Sequence, residues 1–190
     1  MTRRIALALV HYPILDKAGA VVTTSITNLD VHDIARSTYT YGISPYFVVH
    51  PVAGQRELVE HVKAHWTEGS GARRIPDRKP PLGNVEIVDG LETARRTLSA
   101  DAELWVTSAK QIDGALEHDV AHRRLVADGP PVLLVFGTGW GLADSVLEAA
   151  TVALAPIRSP RPDGYNHLSV RAAVAILLDR LLGGPSRGGV

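Results

Sequence analysis

The strongest constraint on this chain is its alternation of short apolar runs with longer amphipathic stretches. Residues 5–10, 46–50, 85–88, 104–107 and 132–136 read as strands, with 152–154 as a short sixth. Several are continuous apolar runs, as in parallel strands buried on both faces. Between them, 30–41, 55–66, 91–98, 111–127, 142–149 and 168–182 read as helices. That order predicts an α/β fold with a mainly parallel sheet flanked by helices. At 190 residues the chain suits a single domain. We expect it to span 1–184, with 185–190 as a flexible tail after Gly183-Gly184-Pro185.

Composition removes several function classes. Hydrophobic residues make up 45% of the chain, which excludes a wholly disordered one. The absence of cysteine excludes disulfides, zinc ribbons, iron–sulfur centres and a catalytic thiol. Twenty Lys+Arg balance twenty Asp+Glu, which argues against nucleic-acid binding by bulk charge but leaves room for a local basic patch. The apolar run after Arg3-Arg4 stops at His11, short of the roughly 7–15 residues of a secretory signal. The uncharged stretch between Arg171 and Asp179 falls below the ~18 residues that cross a bilayer. A soluble cytoplasmic protein, with no membrane partner, is the expectation.

Three segments break the alternation. Residues 12–28 are turn-rich and read as a hairpin or extended loop. Residues 67–83 read as a long loop punctuated by Gly69, Gly71, Pro76, Pro80, Pro81 and Gly83. A structureless loop of about 15 residues is uncommon in a compact domain and is often functional. Residues 156–164 carry Pro156, Pro160, Pro162 and Gly164 just before the last helix.

The densest signal is the run Phe136-Gly137-Thr138-Gly139-Trp140-Gly141-Leu142, where a buried strand enters three alternating glycines and then a helix. Glycine permits positive φ and close backbone approach to a ligand, so the run reads either as a ligand loop or as a sterically tight strand–helix turn. Its G-x-G-x-G spacing differs from the Rossmann G-x-G-x-x-G, and Ile157-Arg158 stand where a ribose-binding acid would be expected. A second signal is Asn28-Leu29-Asp30 with Asp33-Ile34-Ala35-Arg36, in which Asp30 reads as a helix N-cap. A third is Tyr165-Asn166-His167-Leu168-Ser169, a polar cluster opening a helix apolar almost all round. His61/His65 and His118/His122 share helix faces but lack a third ligand, so no metal site is expected. Arg73, Arg74, Arg78 and Lys79 in one irregular segment, and Arg158 and Arg161 in another, are suited to phosphate contacts; solvated surface charge explains them equally well.

In this order the three segments, with His11-Tyr12-Pro13 and Pro76-Asp77-Arg78-Lys79, resemble the SPOUT superfamily of S-adenosylmethionine-dependent RNA methyltransferases. The likeness is strongest to a small bacterial subgroup of single-domain proteins and runs from about residue 5 to 182. It implies a deep C-terminal trefoil knot and a homodimer with the last helix in its interface. It implies S-adenosylmethionine held by Phe136, Gly137, Thr138, Gly139, Gly141 and Leu142, closed over by Ile157, His167, Leu168 and Ser169. Asn28 and Arg36 fall where the superfamily places residues acting on the acceptor nucleotide. Arg73, Arg74, Arg78, Lys79, Arg158, Tyr165 and Asn166 are the expected contacts to an RNA partner, tRNA or rRNA.

Two departures leave the acceptor atom open between a base nitrogen and a ribose 2′-hydroxyl. The glycine loop lacks the Glu common in 2′-O-methylating relatives, and His167 stands where those relatives often carry Asn. The cofactor carries an activated methyl, so the protein must align the acceptor and manage one proton. Arg36 suits a phosphate or an ionising acceptor, and Asp30, His32 or His167 can take a proton. A catalytically inactive knotted protein that binds RNA or S-adenosylmethionine is the alternative.

Overall fold

The computed structural model describes residues 3–183; the expected tail at 185–190 lies outside the described residues. Strand β1 (Ile5–Val10) leads into a hairpin of β2 (Ile14–Leu15) and β3 (Val21–Val22), then helix α1 (Asn28–Thr40). Next come β4 (Tyr46–Val49), α2 (Ala53–Thr67), and two short helices, α3 (Ser70–Arg74) and α4 (Lys79–Gly83), around a 3-10 turn at Pro76–Arg78. They are followed by β5 (Val85–Val88), α5 (Leu91–Leu98), β6 (Glu103–Val106) and α6 (His118–Val126). The chain continues through β7 (Val132–Gly137), α7 (Asp144–Glu148), β8 (Val152–Ala153) and α8 (Val170–Leu182).

Six strands form one parallel sheet in the order β5-β4-β1-β7-β6-β8. The alternation within β1 shows how the two faces differ. Ile5, Leu7 and Leu9 join the larger core with α1, α2, α4, α6 and α8, whereas Ala6, Ala8 and Val10 join the core under α5 and α7. Small alanines on the second face leave room for α5 to lie close against the central strand. Strand order reverses direction between β1 and β7. Ligand crevices in open α/β sheets form at such a switch point, beyond the carboxyl ends of the strands.

Several local readings are corrected. Residues 67–83 are helical for most of their length: Pro76 opens the 3-10 turn, and Pro80 and Pro81 fall near the start of α4, where a missing N–H leaves no bond unmade. Arg73, Arg74, Arg78 and Lys79 therefore stand on short helices and not on a loop. The helix expected over 111–127 begins only at His118. Gly114 turns at φ +73° and Leu116 bridges to Leu154 in parallel, which holds the preceding segment extended. The N-cap of α1 is Thr27, not Asp30. The Asp30 N–H reaches the Thr27 hydroxyl oxygen at 3.2 Å, and that hydroxyl donates back to the Asp30 carboxylate at 2.6 Å. The cap thus sits three residues earlier than read.

Candidate functional site

A cavity of about 630 Å³ opens at the carboxyl ends of β6 and β7, within the range of small-molecule sites. Its walls come from four stretches: Thr24–Asp30 after the hairpin, Thr107–Lys110 after β6, the glycine loop after β7, and Ile157 with the entry to α8. The expected residues Phe136, Gly137, Thr138, Gly139, Ile157, His167, Leu168 and Ser169 all line it, as do Gly141 and Asn166.

The glycine loop is shaped chiefly by the hairpin. The Leu15 N–H donates to the Gly141 carbonyl at 2.9 Å, and the Trp140 N–H donates to the Leu15 carbonyl at 3.0 Å. Gly139 sits at φ +57°, and a Cβ there would stand 2.9 Å from Ile14 Cγ2 and 3.2 Å from the Leu15 carbonyl oxygen. The loop lines a cavity, and its middle glycine is also required by packing against residues 14–24. Leu142, expected at the cofactor, is instead buried in the α5–α7 core and bridges to Ile14. Its apolar side chain is taken up by the core because the chain has by then turned inward from the rim.

At the α8 end, Ser169 is the N-cap, its hydroxyl accepting from the Ala172 N–H at 3.3 Å. Asn166 donates to the Ile157 carbonyl at 2.8 Å and closes the loop that carries both residues. Trp140, His167 and Tyr165 make edge contacts in a row at the rim, with ring centroids 5.8 and 5.3 Å apart. Trp140, Tyr165 and Leu168 are exposed there.

The sequence marks Asp30 but not the charged wall it forms with Arg171. Arg171 donates to Asp30 at 2.6 Å and lies 3.6 Å from Asp33, tying α8 to α1 across the cavity. Asp30 is the one carboxylate among the described lining residues, and its side chain is only 8% exposed. An acid at the start of one helix and an arginine at the start of another, 141 positions away, form no local pattern to read. Thr107, Ser108 and Lys110 were missed for the same reason; they follow a strand with no motif to mark them.

Asn28 and Arg36 do not line this cavity. Asn28 is exposed at the first turn of α1, where Thr27 and Asp30 face the cavity instead. Arg36 lies about two turns along α1 and lines a separate groove of about 250 Å³ with Tyr39, Thr40, Asp77, Arg78 and Pro81. Arg78 stacks over Trp66 at 5.5 Å and approaches His32 Nδ1 at 3.4 Å. Burial, then the neighbouring Arg78, lowers the His32 pKa. Arg73, Arg74 and Lys79 are exposed nearby in the chain. Arg158 is held by Glu117 through two hydrogen bonds of 2.8 and 3.1 Å, and Arg161 is paired with Asp163. Tyr165 stands at the rim and does not line the cavity floor.

A family model described as SAM-dependent RNA methyltransferase matches residues 4–183. The chain belongs to that family. It is 47% identical over 186 residues to a tRNA (guanine-N(1)-)-methyltransferase of Nitratidesulfovibrio vulgaris, covering 95% of this chain and 42% of that protein. An uncharacterized protein of Aquifex aeolicus is 32% identical over 190 residues, 95% of this chain and 89% of that one. The chain thus spans about two fifths of the tRNA methyltransferases it matches. Among solved structures, the TrmH/SpoU tRNA modifying enzyme of A. aeolicus superposes with a TM-score of 0.58 at 13% identity, covering 95% of this chain and 76% of that one. TrmJ of Z. mobilis gives 0.60 at 17%, covering 97% and 70%. The expected α/β fold, a mainly parallel sheet flanked by helices, is borne out, and the description of the matching family agrees with the expected S-adenosylmethionine-dependent RNA methyltransferase.

Whether the cavity suits that cofactor is a question of shape and chemistry. Its volume is sufficient, and glycines 137, 139 and 141 bring backbone close to the interior. Phe136, Ile157, Leu168 and Leu177 supply apolar wall, while Thr24, Thr138, Asp30 and Lys110 supply polar groups for an adenosine and an amino acid moiety. The residues present fit the group.

Proposed function

We propose that the cavity between the glycine loop and the entry to α8 holds S-adenosylmethionine, and that RNA, most directly tRNA, is methylated at its rim. The observation carrying this reading is the convergence of three separate stretches, 107–110, 136–141 and 157–171, with Asp30 on one cavity at the strand ends. The cofactor supplies a methyl group on a sulfonium. Phe136, Gly137, Thr138, Gly139 and Gly141 form one side of its pocket, and Ile157, His167, Leu168 and Ser169 the other. Asp30, oriented by Thr27 and Arg171, is the group we assign to take the acceptor's proton. Trp140 and Tyr165 offer aromatic faces for an unstacked base.

Arg36 and Arg78, with Arg73, Arg74 and Lys79, form the surface we assign to phosphates, where such contacts position an RNA without reading its sequence. Arg158 makes a weaker candidate because Glu117 already satisfies it. A homodimer through α8 is part of the proposal. It is supported by the exposed Ala175 and half-exposed Ile176 on that helix and by Leu29 and Leu168 exposed near the rim. The trefoil knot, a single domain over 1–184 and a cytoplasmic location are likewise part of the proposal. Helix α8 packs against both α1 and α6. Among the described residues no helix is long and apolar enough to cross a membrane.

The name of the 47% identical relative points to guanine N1 of tRNA. That name describes a protein in which the aligned segment is 42% of the length, so the ribose 2′-hydroxyl stays in the test. Calorimetry on the purified chain should show S-adenosylmethionine binding, and labelled methyl should pass to tRNA from cells lacking the gene. Mass spectrometry of the digested RNA identifies the atom. No cofactor binding would overturn the proposal; binding without transfer to any RNA would favour the inactive alternative.

A further inference from the structure

Behind the cavity wall lies a pair of histidines that the methyltransferase reading does not use. His11, the first residue after β1, is wholly buried. Its Nδ1 is 3.1 Å from the Thr24 hydroxyl, which makes a short hydrogen bond to the Thr138 hydroxyl. Thr138 in turn donates to the Val10 carbonyl at 3.2 Å. The directions follow from that last bond. With the Thr138 hydroxyl donating to Val10, Thr24 must donate to Thr138, and His11 must donate through Nδ1–H to Thr24. The Nε2 atom then carries only a lone pair, and it is buried with no hydrogen-bond partner among the described residues.

His50, at the end of β4, grips the same threonine from behind. Its Nδ1 accepts from the Val52 N–H at 3.1 Å, so its Nε2–H donates to the Thr24 carbonyl at 3.0 Å. The Thr24 N–H donates to the His11 carbonyl at 3.0 Å. The two imidazoles lie 5.5 Å apart. Burial, and after it the neighbouring His50, lowers His11 to about 4, so the ring is a neutral donor at physiological pH and a poor proton acceptor.

Thr24 and Thr138 both line the cavity, and they come from the hairpin and the glycine loop. We propose that His11 is a positioning residue for the methyl-donor pocket: its Nδ1–H sets the direction of the Thr24–Thr138 hydroxyl chain and thereby locks the hairpin to the glycine loop in the donor-binding arrangement. This rests on the cofactor reading of the same cavity. A buried polar group with a single useful bond is otherwise an expense that an apolar side chain would avoid, so a histidine at this position points to a role.

Two measurements test it. In the wild-type chain, nitrogen-15 NMR at pH 7 should show His11 as the neutral Nδ1–H tautomer, with that proton's resonance shifting when S-adenosylhomocysteine is added. A neutral Nε2–H tautomer, or no shift on saturation, would overturn the proposal. In variants, His11→Phe should raise the Kd for S-adenosylmethionine by about tenfold, the loss of one well-placed hydrogen bond. His11→Asn, which keeps a donor near the Nδ1 position, should recover most of it. Adding Thr24→Val to His11→Phe should cost less than the product of the two single losses. Equal affinity in wild type and His11→Phe refutes the role, and so does an Asn variant no better than Phe. If the wild type itself fails to bind the cofactor, the reading of the cavity fails instead.

Discussion

Replacing Gly139 by alanine separates a packing requirement from a binding one. The backbone there is left-handed at φ +57°, which costs a non-glycine residue about 1–2 kcal/mol. The added Cβ would also meet Ile14 Cγ2 at 2.9 Å, the Leu15 carbonyl oxygen at 3.2 Å and Thr24 Cγ2 at 3.3 Å. Ile14 is fully buried and Leu15 contributes backbone, so relief requires moving the hairpin, at about 1–3 kcal/mol for overpacking. The sum is about 2–5 kcal/mol. At roughly 2–4 °C per kcal/mol for a chain of this size, a central 3 kcal/mol lowers Tm by about 6–12 °C. Because Thr24 lines the cavity, cofactor affinity should fall in the same variant. Scanning calorimetry measures the first effect and titration calorimetry the second. Gly54→Ala is the control: no atom lies within 4 Å of its Cβ, its φ is not positive, and the change should be neutral or slightly stabilising. Ile14→Ala removes the closest clashing atom, so the Gly139→Ala/Ile14→Ala pair should be less destabilised than the sum of its parts. A Gly139→Ala protein that melts within 2 °C of wild type and binds normally would refute the reasoning.

Three further outcomes follow. Burial, then the neighbouring His50 ring, lowers His11 from 6.5 to about 4 against the opposing pull of the Asp30 carboxylate, so the unfolded chain binds more protons between those values. Stability is then full above pH 6.5 and falls on acidification toward pH 4, by up to about 3 kcal/mol at 1.36 kcal/mol per pH unit; urea titrations of wild type and His11→Asn should differ by that slope. Arg171→Met leaves Asp30 without its cation; with Arg171 31% exposed, about 1–2 kcal/mol is expected, read as a Tm loss of roughly 2–8 °C. Arg36→Ala and Arg78→Ala should each weaken RNA binding and reduce the log–log salt slope by about 0.7–0.9, measured by filter binding across salt concentrations.

The strands were legible because parallel burial leaves continuous apolar runs, and Val132–Gly137 is the clearest of them. Sheet order was not, since nothing in β1 states that Leu7 faces Leu134 on one side and Tyr46 on the other. The glycine loop was visible as a motif and residues 12–28 as a hairpin or extended loop, yet nothing in either marked them as partners until pairing aligned Leu15 with Gly141. Proline misled at 76–83, where position within the first helical turn matters more than the residue itself. The Asp30–Arg171 pairing was invisible in the sequence: Asp30 reads as a helix cap and Arg171 as part of a helix start, and each looks complete without the other.

The ion pair between Asp30 and Arg171 joins positions 141 apart, and the Thr24–Thr138 contact joins positions 114 apart. A cavity fastened by such contacts has no existence in any fragment of the chain, so its occupant grips the whole fold at once. A ligand present at a hundred times its Kd would add about 2.7 kcal/mol to global stability. Where degradation follows the globally open form, each tenfold change in that population takes 1.4 kcal/mol, and the lifetime of the chain then follows the supply of its methyl donor.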